Sequence, residues 1–445
     1  MQSKTPALMN MFKKIKILIL CFCILTLTKQ GAAQRYLSDL DSSLLFLRDS
    51  VKPFLKRFDN LRFSGYIQPQ FQVAQSKGSR SYNGGDFSEF SQSRFMLRRA
   101  RIKLDYILPT DDGYPKALFT FQIDATERGV NVRDMFIKFY EVKRHFFSVT
   151  AGIFARPFGY EVNLSSSYRE TPERGRMSQI LMPSERDLGA MISYESYKRE
   201  TRPHFFKFDV GFFNGQGLSG PTDFDSYKDL ISRFTVKPMR VKKFEISGGL
   251  SLLYGGWRQG TKYIYESAKG INGDRFFRLD SSTDNIGKKA PRHYYGADIQ
   301  ILLKNDWGNS EWRAEYWRGI QPGTSTTTTN PGTLPTNPIY IRNFDGAFLL
   351  FLQNVGSSKH QVMVKYDWYD PNIDVKESDI GKQGTNITIA DIKYSTLGIG
   401  YARYFNEIIK LVLYYDIVKN ELTQLPGFTT DLKDNIFTCR IQYRF

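Results

Sequence analysis

Three cations stand at two-residue spacing in Arg99-Ala-Arg101-Ile-Lys103. On an extended strand that spacing puts all three on one face, and a row of Arg and Lys along a wall favours anions. A second cationic set lies between Gly152 and Gly189, where Arg156, Arg169, Arg174, Arg176 and Arg186 face Glu161, Glu170, Glu173, Glu185 and Asp187. A guanidinium suits bidentate contact with phosphate or carboxylate. With five acids beside them, these arginines can equally close internal salt bridges that hold the segment folded. Support for enzymatic chemistry is thin. His145, His204, His293 and His360 are far apart, and no pair has metal-ligand spacing. No phosphate-binding loop, nucleotide fingerprint, Gly-x-Ser-x-Gly elbow or zincin motif appears. The chain therefore reads as a non-enzyme, with no catalytic residue, metal or cofactor expected.

The elements that must position these residues are strands. From Leu61 onward the apolar period is two: Phe63, Ile67, Phe71 and Val73 alternate with Ser64, Tyr66, Gln68, Gln70 and Gln72. The same alternation recurs at Phe119–Asp124, Phe206–Phe212 and Val362–Trp368. Sixteen such segments can be placed between 61 and 445, and the connections between them alternate short and long, with 127–129 short where a long one is due. Short turns at one rim and long loops at the other are the pattern of a transmembrane barrel. The fold class expected is all-β, a transmembrane antiparallel β-barrel of about sixteen strands at 61–445. Its third long connection, 155–186, has no helical period and is expected to fold inward. Arg99, Arg101 and Lys103 then face the lumen and Ala100, Ile102, Leu104 and Tyr106 face lipid. Arg98 cannot share the face of Arg99, so a bulge is expected there.

Composition agrees with that class. Of 445 residues, 41% are hydrophobic and 15% aromatic, yet no stretch after the N-terminus offers about 18 consecutive apolar residues for a helical span. Residues 1–33 read as an export signal, with Lys13, Lys14 and Lys16 before the apolar run Ile17 to Leu27 and a small-residue site at Gly31-Ala-Ala33. Cleavage would remove five lysines and no acids, taking the formal charge from +17 to +12, and would leave Cys439 as the sole thiol, so no internal disulfide is expected. A basic exported protein is matched to anionic solutes rather than nucleic acid. Residues 34–60 hold a short helical segment, with Leu40, Leu44, Leu47, Val51, Phe54 and Phe58 on one seam, interrupted by Pro53 at roughly 3 kcal/mol if it lies inside a helix. The last strand alternates Phe437, Cys439, Ile441, Tyr443 and Phe445 with Thr438, Arg440, Gln442 and Arg444.

These elements together resemble the phosphate-selective porin O and P family. The resemblance is carried by Arg98-Arg-Ala-Arg-Ile-Lys-Leu104, by Gly152-Ile-Phe-Ala-Arg-Pro-Phe158 with Glu161, by Ser165-Ser166, by Glu173-Arg174 and by Arg186-Asp-Leu-Gly189. It implies a sixteen-stranded, often trimeric outer-membrane channel for phosphate or other anions, narrowed by its third loop. The pore-lining and anion-binding candidates are then Arg99, Arg101, Lys103, Arg156, Arg169, Arg174, Arg176 and Arg186. The partners expected are small anionic solutes, outer-membrane lipid, two further copies of the chain, and the barrel insertion machinery, which reads a C-terminal aromatic such as Phe445. The chain departs from the family where Ala155 and Arg156 replace an expected lysine before the Pro-Phe pair; in an alternating strand a one-residue shift of charge changes face. Two other readings stay open: a non-conducting outer-membrane barrel that binds or scaffolds, its lumen closed by 155–186, and an exported soluble β protein.

Overall fold

The computed structural model describes residues 60–445 apart from 112, 197–203, 221 and 272. Residues 1–33, read as an export signal, and the seam at Tyr36–Phe58 lie outside the described residues. The strands are β1 (Leu61–Ala74), β2 (Ser93–Pro109), β3 (Pro115–Thr126), β4 (Gly129–Tyr140), β5 (Phe147–Ala155), β6 (Arg186–Glu195), β7 (Phe206–Phe213), β8 (Asp229–Val241) and β9 (Phe244–Arg258). They continue with β10 (Ile264–Lys269), β11 (Arg275–Asp280), β12 (Lys289–Asn305), β13 (Gly308–Gly323), β14 (Ile339–Val355), β15 (Ser357–Asp370), β16 (Tyr394–Tyr404), β17 (Ile409–Asn420) and β18 (Ile436–Arg444). One α-helix, α1 (Arg176–Leu181), lies in the connection between β5 and β6.

Sixteen of these strands form a closed antiparallel ring. Each pairs with the next, β9 pairs directly with β12, and β18 returns to pair with β1. The seam is completed by reciprocal backbone bonds between Gly65 and Phe445, at 2.9 and 3.0 Å. Closure leaves no free sheet edge, which is how a barrel satisfies its backbone without water. β10 and β11 stand outside the ring as a hairpin within the 259–288 connection, pairing with it where Ile264–Glu266 run parallel to Ile339–Ile341. Connection 127–128 is short, as read from the sequence, while 75–92, 156–185, 214–228, 324–338, 371–393 and 421–435 make the long rim.

The two faces follow the two-residue period. Phe63, Ile102, Tyr106, Phe119, Phe208, Phe212, Val364, Ile441 and Phe445 are exposed on the outside, whereas Gln68, Gln70, Gln72, Arg99, Arg101, Lys365, Asp367 and Arg440 are buried inside. A bulge lies at Arg98, where Gln68 pairs with Arg99 but Pro69 pairs with Leu97. Proline donates no ladder hydrogen bond, so it falls where the ladder is broken anyway. Two connections hold more regular structure than alternation alone reveals. The connection 155–186 contains the helix α1, because Met177, Ile180 and Leu181 find an apolar wall at helical spacing. The connection 256–291 contains the β10–β11 hairpin, whose Phe277 packs with Tyr340, Ile380, Ile387, Ile392 and Phe428 in an apolar cluster shared by neighbouring long loops.

Candidate functional site

The connection 156–185 touches strands on both sides of the ring, and the two sides are held by different physics. Toward β5, β7–β9 and β12–β15 the contact is apolar. Phe158, Val162, Met177, Ile180, Leu181 and Met182 of the loop pack with Phe154, Phe213, Ile231, Leu253, Tyr294, Trp317, Phe344 and Tyr369, inward-facing residues of the wall. Phe158 meets the Trp317 ring edge-on at 4.8 Å. A carboxylate sits at the margin: Glu315 accepts hydrogen bonds from the backbone of Tyr160 (2.7 Å) and Glu161 (2.9 Å) and from Trp317 Nε1 (2.8 Å).

Toward β1, β2, β17 and β18, and at Arg313 of β13 and Lys365 of β15, the contact is ionic. Glu173 receives three guanidiniums, from Arg98 (2.9 Å), Arg99 (2.7 Å) and Arg440 (2.8 Å). The bulge lets adjacent Arg98 and Arg99 reach one carboxylate. Burial disfavours the charge on Glu173, but the three arginines outweigh it and hold the carboxyl well below its usual range. Glu161 accepts from Gly175 N (2.7 Å), Ser178 Oγ (3.2 Å) and Lys365 Nζ, and Lys365 with Arg169 brings its carboxyl below the usual value against the cost of burial. Glu170 takes a bidentate pair from Arg313 at 2.7 and 3.0 Å. Lys410 Nζ donates to the carbonyls of Ser167 (3.2 Å) and Arg169 (2.8 Å), and Gln68 Nε2 to that of Ser166 (3.0 Å).

The eight cations named from the sequence fall into distinct settings. Arg99 is committed to Glu173. Arg101 binds Asp124 (2.7 Å) and the Tyr66 hydroxyl (2.6 Å), and Lys103, partly exposed, pairs with Asp105 (2.7 Å). Arg174 donates to the carbonyls of Ser178 and Met182 and lies 3.2 Å from Glu185. Arg186 bridges Asp134 (3.0 Å) and Glu185 (2.8 Å). Arg156 donates to the Ser184 carbonyl and is fully buried, sharing inward parity with Ser148, Thr150 and Phe154. Arg156 therefore lies on the inner face. Arg169 donates one bond, to Leu164 O at 3.2 Å, while its Nε and Nη1 have no partner; burial brings its pKa down to about 10. Arg176 lies between the rings of Tyr82 (4.6 Å) and Tyr394 (3.9 Å).

The sequence reading missed the apolar half. Its signal was present as consecutive large apolar residues, Phe212-Phe213, Leu252-Leu253, Tyr294-Tyr295 and Tyr316-Trp317. A strand with one wet face does not carry such pairs, so their inner members had to be covered. Among the described residues no group of acids, histidines or cysteines is arranged to hold a metal ion.

No family model matches the chain, and no curated protein matches it in sequence. Solved structures do. The outer membrane channel DcaP of Acinetobacter baumannii is 14% identical, with a TM-score of 0.50 over 86% of this chain and 97% of its own. An anion-selective porin from Comamonas acidovorans is 11% identical, with a TM-score of 0.48 over 86% and 99%. OmpT, an outer membrane protein of Vibrio cholerae, is 10% identical, with a TM-score of 0.46 over 86% and 97%. At these identities the likeness to DcaP is one of fold, a closed antiparallel barrel.

Proposed function

We propose that the chain is an outer-membrane porin that lets small solutes diffuse passively, with a preference for anions such as phosphate. The observation that carries this reading is the wall itself: a closed ring, apolar outside and charged inside, with one loop tied across the lumen. Anion preference draws on spare hydrogen-bonding capacity. Among the described residues six buried guanidinium nitrogens, on Arg133, Arg156, Arg169, Arg176 and Arg292, have no partner, against two carboxylate oxygens, on Asp124 and Asp434. Export by residues 1–33, a lipid-facing belt, insertion through Phe445 and assembly as a homotrimer belong to the same proposal. The test is a planar bilayer: discrete steps whose reversal potential in a chloride gradient is that of an anion channel, and which phosphate blocks, support it. Cation-selective steps refute the anion preference.

A second reading rests on the fourteen-residue apolar core that fills one side of the lumen. It makes the barrel a closed binding or scaffold component. A silent bilayer with protein shown to be inserted selects this reading.

A further inference from the structure

Above the ionic half of the loop lies a pocket of about 490 Å³, open mouth included, lined by the 80–83 stretch, α1, β15–β18 and Asp434. Two groups in it are unlike the paired charges around them. The Arg176 guanidinium lies over the rings of Tyr82 and Tyr394, and its Nε has no partner. The edge of the fork is the part that takes a carboxylate in two parallel bonds. Asp434, only 5% exposed, keeps Oδ1 without a donor. No ion pair joins the two, although Arg176 acts electrostatically on Asp434 and opposes the rise that burial imposes on its carboxyl. A buried acceptor left open loses the water it would otherwise bind, so both groups gain if one ligand supplies both partners. Asp416 stands in the same pocket, its Oδ2 already taken by Asn83 Nδ2.

We infer that this pocket is a solute site for small zwitterions of the α-amino acid class, the carboxylate on the Arg176 edge and the ammonium on Asp434. The inference rests on the channel reading and names a substrate class for it. Glycine is the probe, with acetate and methylammonium each carrying half of its charge pattern. In bilayers, glycine is expected to interrupt the current at a concentration at least tenfold below either half. Asp434→Asn should bring glycine back to the acetate value, and Arg176→Gln should remove block by both. Calorimetric titration of the folded, heat-modifiable barrel in detergent micelles follows the same three probes without a current. Equal action of glycine and acetate on the wild type, or an Asp434→Asn variant with unchanged glycine response, overturns the inference. Silent bilayers with the glycine-over-acetate order kept in calorimetry would sink the channel reading and leave the pocket standing. Calorimetry without that order removes the pocket whatever the bilayer does.

Discussion

One loop meets two walls. On the β7–β9 and β12–β15 side it is fixed by close packing, which is non-directional but intolerant of lost volume. On the β1, β2 and β18 side it is fixed by guanidinium pairs on Glu173, which are directional and cost much to break one at a time. One side is filled by the apolar core, so on the porin reading proposed above the path for solutes runs along the ionic side. There, the arginines that attract an anion are the same ones that hold the loop. The difference teaches that charge in this lumen divides into structural pairs and a remainder. The remainder, Arg169 and Arg176 foremost, keeps guanidinium nitrogens without a partner.

The comparison can be broken first on the packed side. Trp317→Ala should cost about 3–5 kcal/mol, the range for deleting a large buried aromatic, read as a lower urea midpoint in micelles, with ion selectivity unchanged. Glu173→Gln should cost about 3 kcal/mol, because three buried guanidiniums lose their common charge; here conductance should rise as the loop leaves the ionic wall. Gly65→Ala tests the seam. Its Cβ would meet the Arg101 carbonyl oxygen and lie 2.5 Å from the Phe445 ring, so about 1–3 kcal/mol should be lost through overpacking, seen as a lower temperature for the loss of heat-modifiable migration. Lys103→Gln should change stability by less than about 1 kcal/mol, since its pair with Asp105 is partly exposed and screened.

The ionic side also makes a pH prediction. Glu173 has a folded value well below its ordinary 4.5. A depressed carboxyl contributes stability that is present above the unfolded value and is lost as pH falls through the folded one. The contribution of Glu173 to stability should therefore hold steady from pH 7 down to pH 5, and the loop should leave its three arginines only in stronger acid. A release centred near pH 5 would mean that the three arginines are not engaged.

Much of the barrel was legible because a two-residue period is a direct record of two solvents. β1 begins at Leu61 and β18 runs to Arg444, beside the start and end that alternation marks, and the Arg98 bulge followed from two adjacent arginines that cannot share a face. What stayed hidden has a common cause: it depends on contacts between segments distant in sequence. The hairpin β10–β11 takes its apolar partners from loops more than 60 residues away. α1 is too short to show a period of its own and forms against the wall. The Arg176–Asp434 pocket joins residues 258 positions apart, and neither carries a local motif. Arg99 was named from spacing as an anion contact, but spacing does not reveal that Glu173 already holds it.

The central claim is that solutes pass along the ionic wall, narrowed by the loop that Glu173 ties there. Single-channel conductance of the wild type and of Glu173→Gln, side by side in potassium chloride, tests it most directly. The account predicts discrete steps for both, larger for the variant. Steps of equal size, or none from inserted wild-type protein, would contradict it.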